Sequence, residues 1–266
     1  MEIARAGYWT VDAEAAARGN RRWWHDNADD YHADHGEFLG DADFRWCPEG
    51  LREAEAQLLG DIAGADVLEI GAGAGQCSRW LRARGARVLA TDIAEGMVRQ
   101  SARIDARLGT RVPAVVADAR DLPLADASFD VVFTAFGAIP FVADPQSIHA
   151  EVARVLRPGG RWVFAVVHPA RWMFPDDPGP TGMTITRSYF DRRPYAELGR
   201  GGEVQYAEYH HTLADHVAGI TGAGLHVAGV LEPEWQPGNT EVWGGWGPHR
   251  GQYLPGSAIF SCRRPA

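Results

Sequence analysis

Glu69, Gly71, Gly73 and Gly75 stand at alternate positions in the run VLEIGAGAGQCSRWL from Val67 to Leu81, where an apolar strand passes into an amphipathic helix. Glycine accepts positive φ and carries no side chain, so the chain can turn sharply here and come close to a ligand. The unpaired N–H groups at the helix start then point at whatever binds. The chemistry implied is the holding of a cofactor, with Ala72 and Gln76 in the same turn. A dinucleotide site wants a third glycine where Gln76 stands; the pattern is E-x-G-x-G-x-G instead of G-x-G-x-x-G. Asp92 ends the following strand, 21 residues after Gly71. A carboxylate at that point accepts hydrogen bonds from both ribose hydroxyls and repels a 2′-phosphate, although Asp is also a favoured N-cap for the helix beginning near Ile93.

Composition narrows the chemistry further. All 26 basic side chains are Arg, so Schiff-base, P-loop-lysine and Tyr-x-x-x-Lys reductase chemistries are excluded. A formal charge of -9 argues against a polyanionic partner, because nucleic-acid binding rests on clustered Lys and Arg. Cys47, Cys77 and Cys262 are odd in number and widely spaced, which suggests neither a disulfide framework nor a zinc site. The opening residues show no signal-peptide pattern and no segment has the length to span a bilayer, so a cytoplasmic protein without membrane partners is expected.

The elements that must position these residues alternate along the chain. Strand signals fall at Asp66 to Ile70, Arg87 to Thr91, Val112 to Ala117, Phe129 to Ala135 and Trp162 to Val167, with amphipathic helical stripes between them. Residues 157–160, Arg-Pro-Gly-Gly, read as a turn leading into the fifth strand. Helical periodicity also covers Leu51 to Leu59, and Leu225 to Leu231 and Ser257 to Cys262 read as two further strands. Such alternation predicts an α/β fold with a doubly wound, mainly parallel sheet. Residues 1–50 are expected to form an N-terminal cap of short helices on a domain of residues 51–266. Within it, residues 169–205, dense in Pro, Gly and aromatics, are expected to be an insertion or lid.

Three ordered segments, the glycine loop, VVADARDLPLADASFDVV and LRPGGRWVF, resemble those of the class I S-adenosylmethionine-dependent methyltransferases. The likeness covers about residues 60–168 and, more weakly, 205–262. It implies a seven-stranded Rossmann-like sheet and S-adenosyl-L-methionine as cofactor. Asp92 would hold the ribose, and Asp118 and Ala119 the adenine, between apolar side chains such as Ile93 and Met97. Glu69 would serve the methionyl amine; its charge opposes that of the sulfonium and ammonium. Gln76 and the Ala135 backbone are further contacts, and Tyr31 and His35 fall where family members fold a helix over the cofactor. After the fourth strand the chain reads TAFGAIPF and lacks the Asn/Asp-Pro-Pro-Tyr-like sequence that grips planar amino groups, which favours a small-molecule acceptor.

Aromatic residues cluster outside the core elements: Trp46, also expected with Tyr31 to contact the cofactor, and others before residue 50, Trp172 in the insertion, Trp243 in the last loop. They are suited either to walling an acceptor and excluding water or to fastening a cap. Methyl transfer from a sulfonium needs alignment above all, and a base is optional. For a hydroxyl acceptor the candidates are His168 at the end of the fifth strand, His210, and His35. No metal is expected, since DDYHADHGE reads as a solvated helix face. The resulting expectation is methyl transfer to O, N or C of a small molecule, specialised metabolites being one class. A non-catalytic cofactor-binding sensor or scaffold is the alternative, and a nucleotide-dependent oxidoreductase is disfavoured by Gln76 and the missing lysine.

Overall fold

The computed structural model describes residues 3–266. In chain order the elements are β1 (Arg5–Tyr8), α1 (Ala13–Asp26), α2 (Ala28–Leu39), α3 (Glu53–Ala56), β2 (Asp66–Ile70), α4 (Gln76–Arg82), β3 (Arg87–Asp92), α5 (Glu95–Leu108), β4 (Ala114–Val116), β5 (Phe129–Ala135), α6 (Pro145–Val155), β6 (Leu156–Val167), β7 (Tyr195–Leu198), β8 (Val204–Glu208), α7 (Leu213–Gly222), β9 (His226–Leu231), α8 (Pro248–Gly251) and β10 (Ser257–Arg263). Seven strands form one sheet in the order β4-β3-β2-β5-β6-β10-β9. β2 to β6 run parallel, and β10 lies antiparallel between β6 and β9. The order reverses between β2 and β3 on one side and β5 on the other, which opens a crevice at the carboxyl ends of these strands.

The apolar runs at β2 and β5 exist because both faces of the sheet are covered. Val132 turns to a cluster with Leu68, Ile148, Trp162 and Phe260, whereas Val131 and Phe133 turn to Phe44, Trp46, Trp80 and Leu81. These side chains are almost wholly buried. At roughly 1.5–3 kcal/mol for each large apolar side chain, their burial fixes the sheet far more firmly than the surface ion pairs do.

Three local expectations change. The periodic stretch from Leu51 to Leu59 closes into only one helical turn, α3, because Gln57 adopts φ 48° and the Glu53 carboxylate takes the backbone N–H groups of Leu58 and Leu59 and the indole N–H of Trp46. Arg157 to Gly160 forms an excursion within β6: Leu156 pairs with Phe129 and Arg161 with Val131, and Gly159 makes the bend at φ 78°. The insertion is not a plain loop, since it contributes β7 to a separate antiparallel sheet of order β1-β7-β8. The amino-terminal region therefore contains a strand as well as helices, and it is tied by backbone hydrogen bonds to the segment after β6.

α1 and α2 are held over α5. Gly96 permits this approach, because a Cβ there would lie 2.2 Å from the His25 carbonyl oxygen. A stripe of arginines on α5 completes the clamp: Arg99 meets His25 at 2.8 Å, Arg103 meets Asp29 at 2.6 Å and Arg107 meets Asp41 at 2.7 Å.

Behind the sheet, His149 and His216 are buried without charge partners of opposite sign close enough to prevail. Burial lowers the His149 pKa to about 4, helped by nearby His211, and lowers that of His216 in the same direction. The indole N–H of Trp162 donates to His149 Nδ1 at 3.1 Å, which fits the neutral ring. A histidine whose folded pKa is depressed binds fewer protons in the folded state. Its stability contribution is complete above the unfolded value of about 6.5 and falls away below it, by about 1.4 kcal/mol per pH unit. Denaturant titrations between about pH 7 and 4 should therefore show a smaller loss of stability in His149→Gln than in the parent; parallel curves would contradict neutral burial of this ring.

Candidate functional site

The crevice at the switch in strand order is lined by the loop after β2, the ends of β3 and β5, and the inner faces of α1 and α2. Its floor is the glycine loop, in which Gly71, Gly73 and Gly75 have φ of 63°, 53° and 77°. Each glycine answers a different need. At Gly71 a Cβ would lie 2.8 Å from Gly137 Cα, so the loops after β2 and β5 touch backbone to backbone. At Gly75 a Cβ would meet Ser101 Oγ at 2.4 Å, so this residue serves the packing of α4 on α5. At Gly73 nothing lies within 4 Å, and the missing side chain leaves open space in the crevice.

Two buried acids flank the floor. Asp92 accepts from Gly73 N at 2.9 Å on one oxygen and from Ala94 N at 2.9 Å on the other; it clamps the loop and holds Ala94, which is itself the N-cap of α5, so Asp92 is not the cap. Each oxygen retains a lone pair for a ligand. Burial raises its pKa against the pull of those N–H groups. Glu69 is 2% exposed and accepts a short hydrogen bond from the Ser78 hydroxyl. Burial pushes its pKa up to about 7, although Ser78 and the Arg79 charge draw it down. Arg79 stabilises the loop from below by donating to the Ala74 carbonyl oxygen while paired with Asp105 at 2.9 Å.

Most of the expected cofactor residues meet here. Tyr31, Trp46, Glu69, Gly71, Ala72, Gly73, Gln76, Asp92, Ile93, Met97, Asp118, Ala119 and Ala135 all line the crevice. Gly75 lies beneath it, in the packing role just described. Asp118 is not bare: Arg120 grips its carboxylate at 2.8 Å and also reaches Glu14 of α1 at 2.7 Å. Burial opposes the Asp118 charge, but the Arg120 hydrogen bonds prevail and its pKa falls.

The histidines are placed differently. His168 is buried at the end of β6; Ala170 N donates to its Nδ1, and its Nε2 faces Glu232 at 2.8 Å. Its ring nitrogens are thus engaged in holding the turn that follows β6. His210 Nε2 lies 2.7 Å from the Tyr189 carbonyl oxygen, under the insertion. Neither residue lines the crevice. His35 stacks on Trp243 at 4.0 Å between centroids, and the lining reaches Trp243, not His35 itself.

Several lining residues carried little signal. Ala17, Asn20 and Trp24 follow helical spacing on α1, and His32 and Phe38 lie on α2, but which face of these helices turns inward depends on their seat over α5. Arg45 brings a cation to the crevice, with its guanidinium 4.4 Å above the Phe38 ring and paired to Asp43 at 3.2 Å. Phe136 and Ala138 take left-handed φ of 65° and 53° where the loop after β5 presses on Gly71. Strain of this kind is about 1–3 kcal/mol per residue and collects at ligand sites.

Comparisons with known proteins agree with this geometry. Residues 68–164 match a family model described as a methyltransferase domain. A demethylmenaquinone methyltransferase from Clavibacter sepedonicus is 43% identical over 115 residues, which is 42% of this chain and 45% of that protein. The chain spans about half the length of the curated relatives it matches. Among solved structures, an S-adenosylmethionine-dependent methyltransferase from Listeria monocytogenes, described as putative, superposes with a TM-score of 0.65 at 21% identity, over 79% of this chain and 95% of the other. The Burkholderia thailandensis 1,6-didemethyltoxoflavin-N1-methyltransferase, solved with 1,6-didemethyltoxoflavin and S-adenosylhomocysteine bound, superposes with a TM-score of 0.60 at 20% identity, over 99% and 95%. These likenesses establish the Rossmann-like fold with its mainly parallel seven-stranded sheet.

The two exposed-floor glycines separate folding from binding. Gly71→Ala places a methyl group against Gly137 backbone atoms and should lower the melting temperature sharply, whereas Gly73→Ala meets only the left-handed φ penalty of about 1 kcal/mol. Thermal melts without ligand check this; equal losses in the two variants would contradict the backbone contact.

Proposed function

We infer that this chain is an S-adenosylmethionine-dependent methyltransferase of the class I type and transfers a methyl group from S-adenosylmethionine to a small organic acceptor seated in the same crevice. The observation that carries the reading is the joining of the open Gly73 floor to Glu69 and Asp92 at the crevice between β2, β3 and β5. The residues fit the cofactor group by group. Asp92 has free lone pairs for the ribose hydroxyls, and Ile93 and Met97 supply apolar contact for the adenine next to Asp118 and Ala119. Glu69 offers a buried carboxylate to the methionyl amine, and Arg45 offers a cation to its carboxylate. When bound, S-adenosylmethionine supplies a methyl group already activated by its sulfonium charge.

The protein's task is then to align and to exclude water. α1 and α2 roof the crevice, with Trp24, Tyr31 and Phe141 in edge-to-face contact and Trp243 closing the side. This wall suits a planar or aromatic acceptor. The acidic surface and the absence of lysine agree with a small molecule in place of a nucleic acid. The relatives named demethylmenaquinone methyltransferase support including demethylmenaquinone-like compounds among the acceptors to be tried. Among described residues no helix is long and apolar enough to cross a membrane.

Two measurements test the assignments. Asp92→Ala should weaken S-adenosylhomocysteine binding by roughly 1–3 kcal/mol, as ribose hydroxyls lose a buried acceptor; unchanged affinity in calorimetry would remove Asp92 from the site. Glu69 must lose a proton to face a cation, so affinity for S-adenosylmethionine should rise as pH climbs towards about 7 and level off above it. Glu69→Gln should flatten that profile, and a profile identical to the parent's would contradict the role.

A further inference from the structure

α2 turns one stripe inward. Ala28, Tyr31, His32, His35 and Leu39 are buried or half-buried at helical spacing, whereas Asp29, Asp30, Asp34 and Glu37 between them are exposed. Ala28 seats the stripe on Ala94 and Met97 at the start of α5, beside the place proposed for the nucleoside, and one turn further on Tyr31 and His32 reach the crevice. The His32 ring has a prepared seat there. A Cβ at Gly36 would lie 2.9 Å from His32 Cε1 and 3.0 Å from its Nδ1, so the ring lies over the bare backbone of the next helical turn. Glycine inside a helix costs about 1 kcal/mol against alanine, and what the missing methyl group admits at Gly36 is an imidazole.

The other crevice groups that could take up a proton are already engaged. Glu69 accepts from the Ser78 hydroxyl, Asp92 from the Gly73 and Ala94 N–H groups, and Asp118 from Arg120. Burial pushes the Tyr31 phenol and the Cys47 thiol upward, which keeps both protonated. His32 differs from all of these. Among the described residues it forms no hydrogen bond and no ion pair, so its ring nitrogens are free to meet a ligand. Imidazole is also the side chain whose proton exchange falls nearest neutral pH. The walls beside it are flat and apolar: Trp24 lies 5.1 Å from the Tyr31 ring, and Trp243 stacks on the next inward residue, His35. An amine attacks through a lone pair it already has, whereas a hydroxyl is a weak nucleophile until its proton begins to leave. A free base in the crevice therefore matches a hydroxyl acceptor.

We propose that His32 is the catalytic base of this crevice and that the acceptor is a hydroxyl group on a planar aromatic ring. The inference rests on the methyl-transfer reading and adds the acceptor's chemical class and the residue that activates it. As the hydroxyl oxygen bonds to the methyl carbon, its proton passes to a ring nitrogen of His32, the carbon–sulfur bond breaks and its electron pair stays on sulfur. The products are an aryl methyl ether, S-adenosylhomocysteine and a protonated imidazole, which releases its proton to solvent. Gly36 is a positioning residue that seats the ring. Both residues lie on α2, outside residues 68–164, which match the methyltransferase family model.

The test incubates the protein with S-adenosylmethionine bearing a trideuterated methyl group and a soluble metabolite extract supplemented with a naphthol, catechol and tryptamine, and locates the label in each product. The proposal expects it on oxygen attached to an aromatic ring. With the acceptor so found, His32→Gln, which can still accept a hydrogen bond but takes up no proton, should lower kcat at least about 100-fold and leave KM and S-adenosylhomocysteine affinity within about threefold. Gly36→Ala should displace the ring and lower kcat about tenfold, although the better helix former leaves the melting temperature unchanged or higher. Calorimetry on the S-adenosylhomocysteine complex reads the contact without turnover. His32→Leu should bind the acceptor about tenfold more weakly and its methyl ether as the parent does, because only the hydroxyl donates to the ring. Label on nitrogen or carbon, a kcat retained in His32→Gln, or equal acceptor affinity in parent and His32→Leu would overturn the base and leave the methyl-transfer reading standing. Absence of any labelled product from protein that still binds S-adenosylhomocysteine would overturn that reading, and the base with it.

Discussion

The Asp92 carboxylate, fixed by two backbone N–H groups, is the interaction on which the site depends. One bond goes to Gly73 and the other to Ala94, so a single buried side chain joins the loop after β2 to the start of α5. An acid in this place is costly to bury, and its elevated pKa reflects that cost. The arrangement persists because its charge is shared with peptide donors already aimed at it. Asp92 also lines the crevice and each of its oxygens can accept a further hydrogen bond, so the feature that holds the loop in place is also available to a ligand.

Around this clamp the molecule is built in two tiers. The lower tier is rigid: the sheet is buried on both faces, Gly71 meets Gly137 with no room for a methyl group, and Arg79 secures the loop through Ala74 and Asp105. The upper tier is fastened by apolar packing of Ala28 on Ala94 and Met97, by the buried Asn20 hydrogen bonds to Ala207, and by charge through the arginine stripe of α5 and the Asp118–Arg120–Glu14 chain. Exposed ion pairs contribute roughly 0–1 kcal/mol each and weaken with salt.

The sequence made the lower tier legible. Alternate glycines after an apolar strand, an acid at the end of the next strand and continuous apolar β5 all report local constraints, and the residues they marked converge in the crevice. What it concealed depends on tertiary placement. Nothing local says that Arg120 will turn back onto Asp118, that α2 will present His32 to the cavity while His35 stacks on Trp243, or that His168 will be engaged with Glu232. Position at a strand end suggested His168 as a base, but its ring nitrogens are engaged by Ala170 N–H and Glu232 and it is not among the residues lining the crevice. The small sheet was hidden for a related reason. β1 and β7 have four residues each and lie nearly two hundred residues apart, so neither forms a readable pattern until the other supplies its hydrogen bonds.

The central claim is that the crevice beside Asp92 receives the adenosyl cofactor, and the most direct measurement is a crystal structure of the protein grown with S-adenosylhomocysteine. The account predicts the ribose hydroxyls on the Asp92 carboxylate, the methionyl amine beside Glu69 and the adenine next to Asp118 and Ala119. Density for the nucleoside elsewhere, or an empty crevice in protein shown by calorimetry to be saturated, would contradict it.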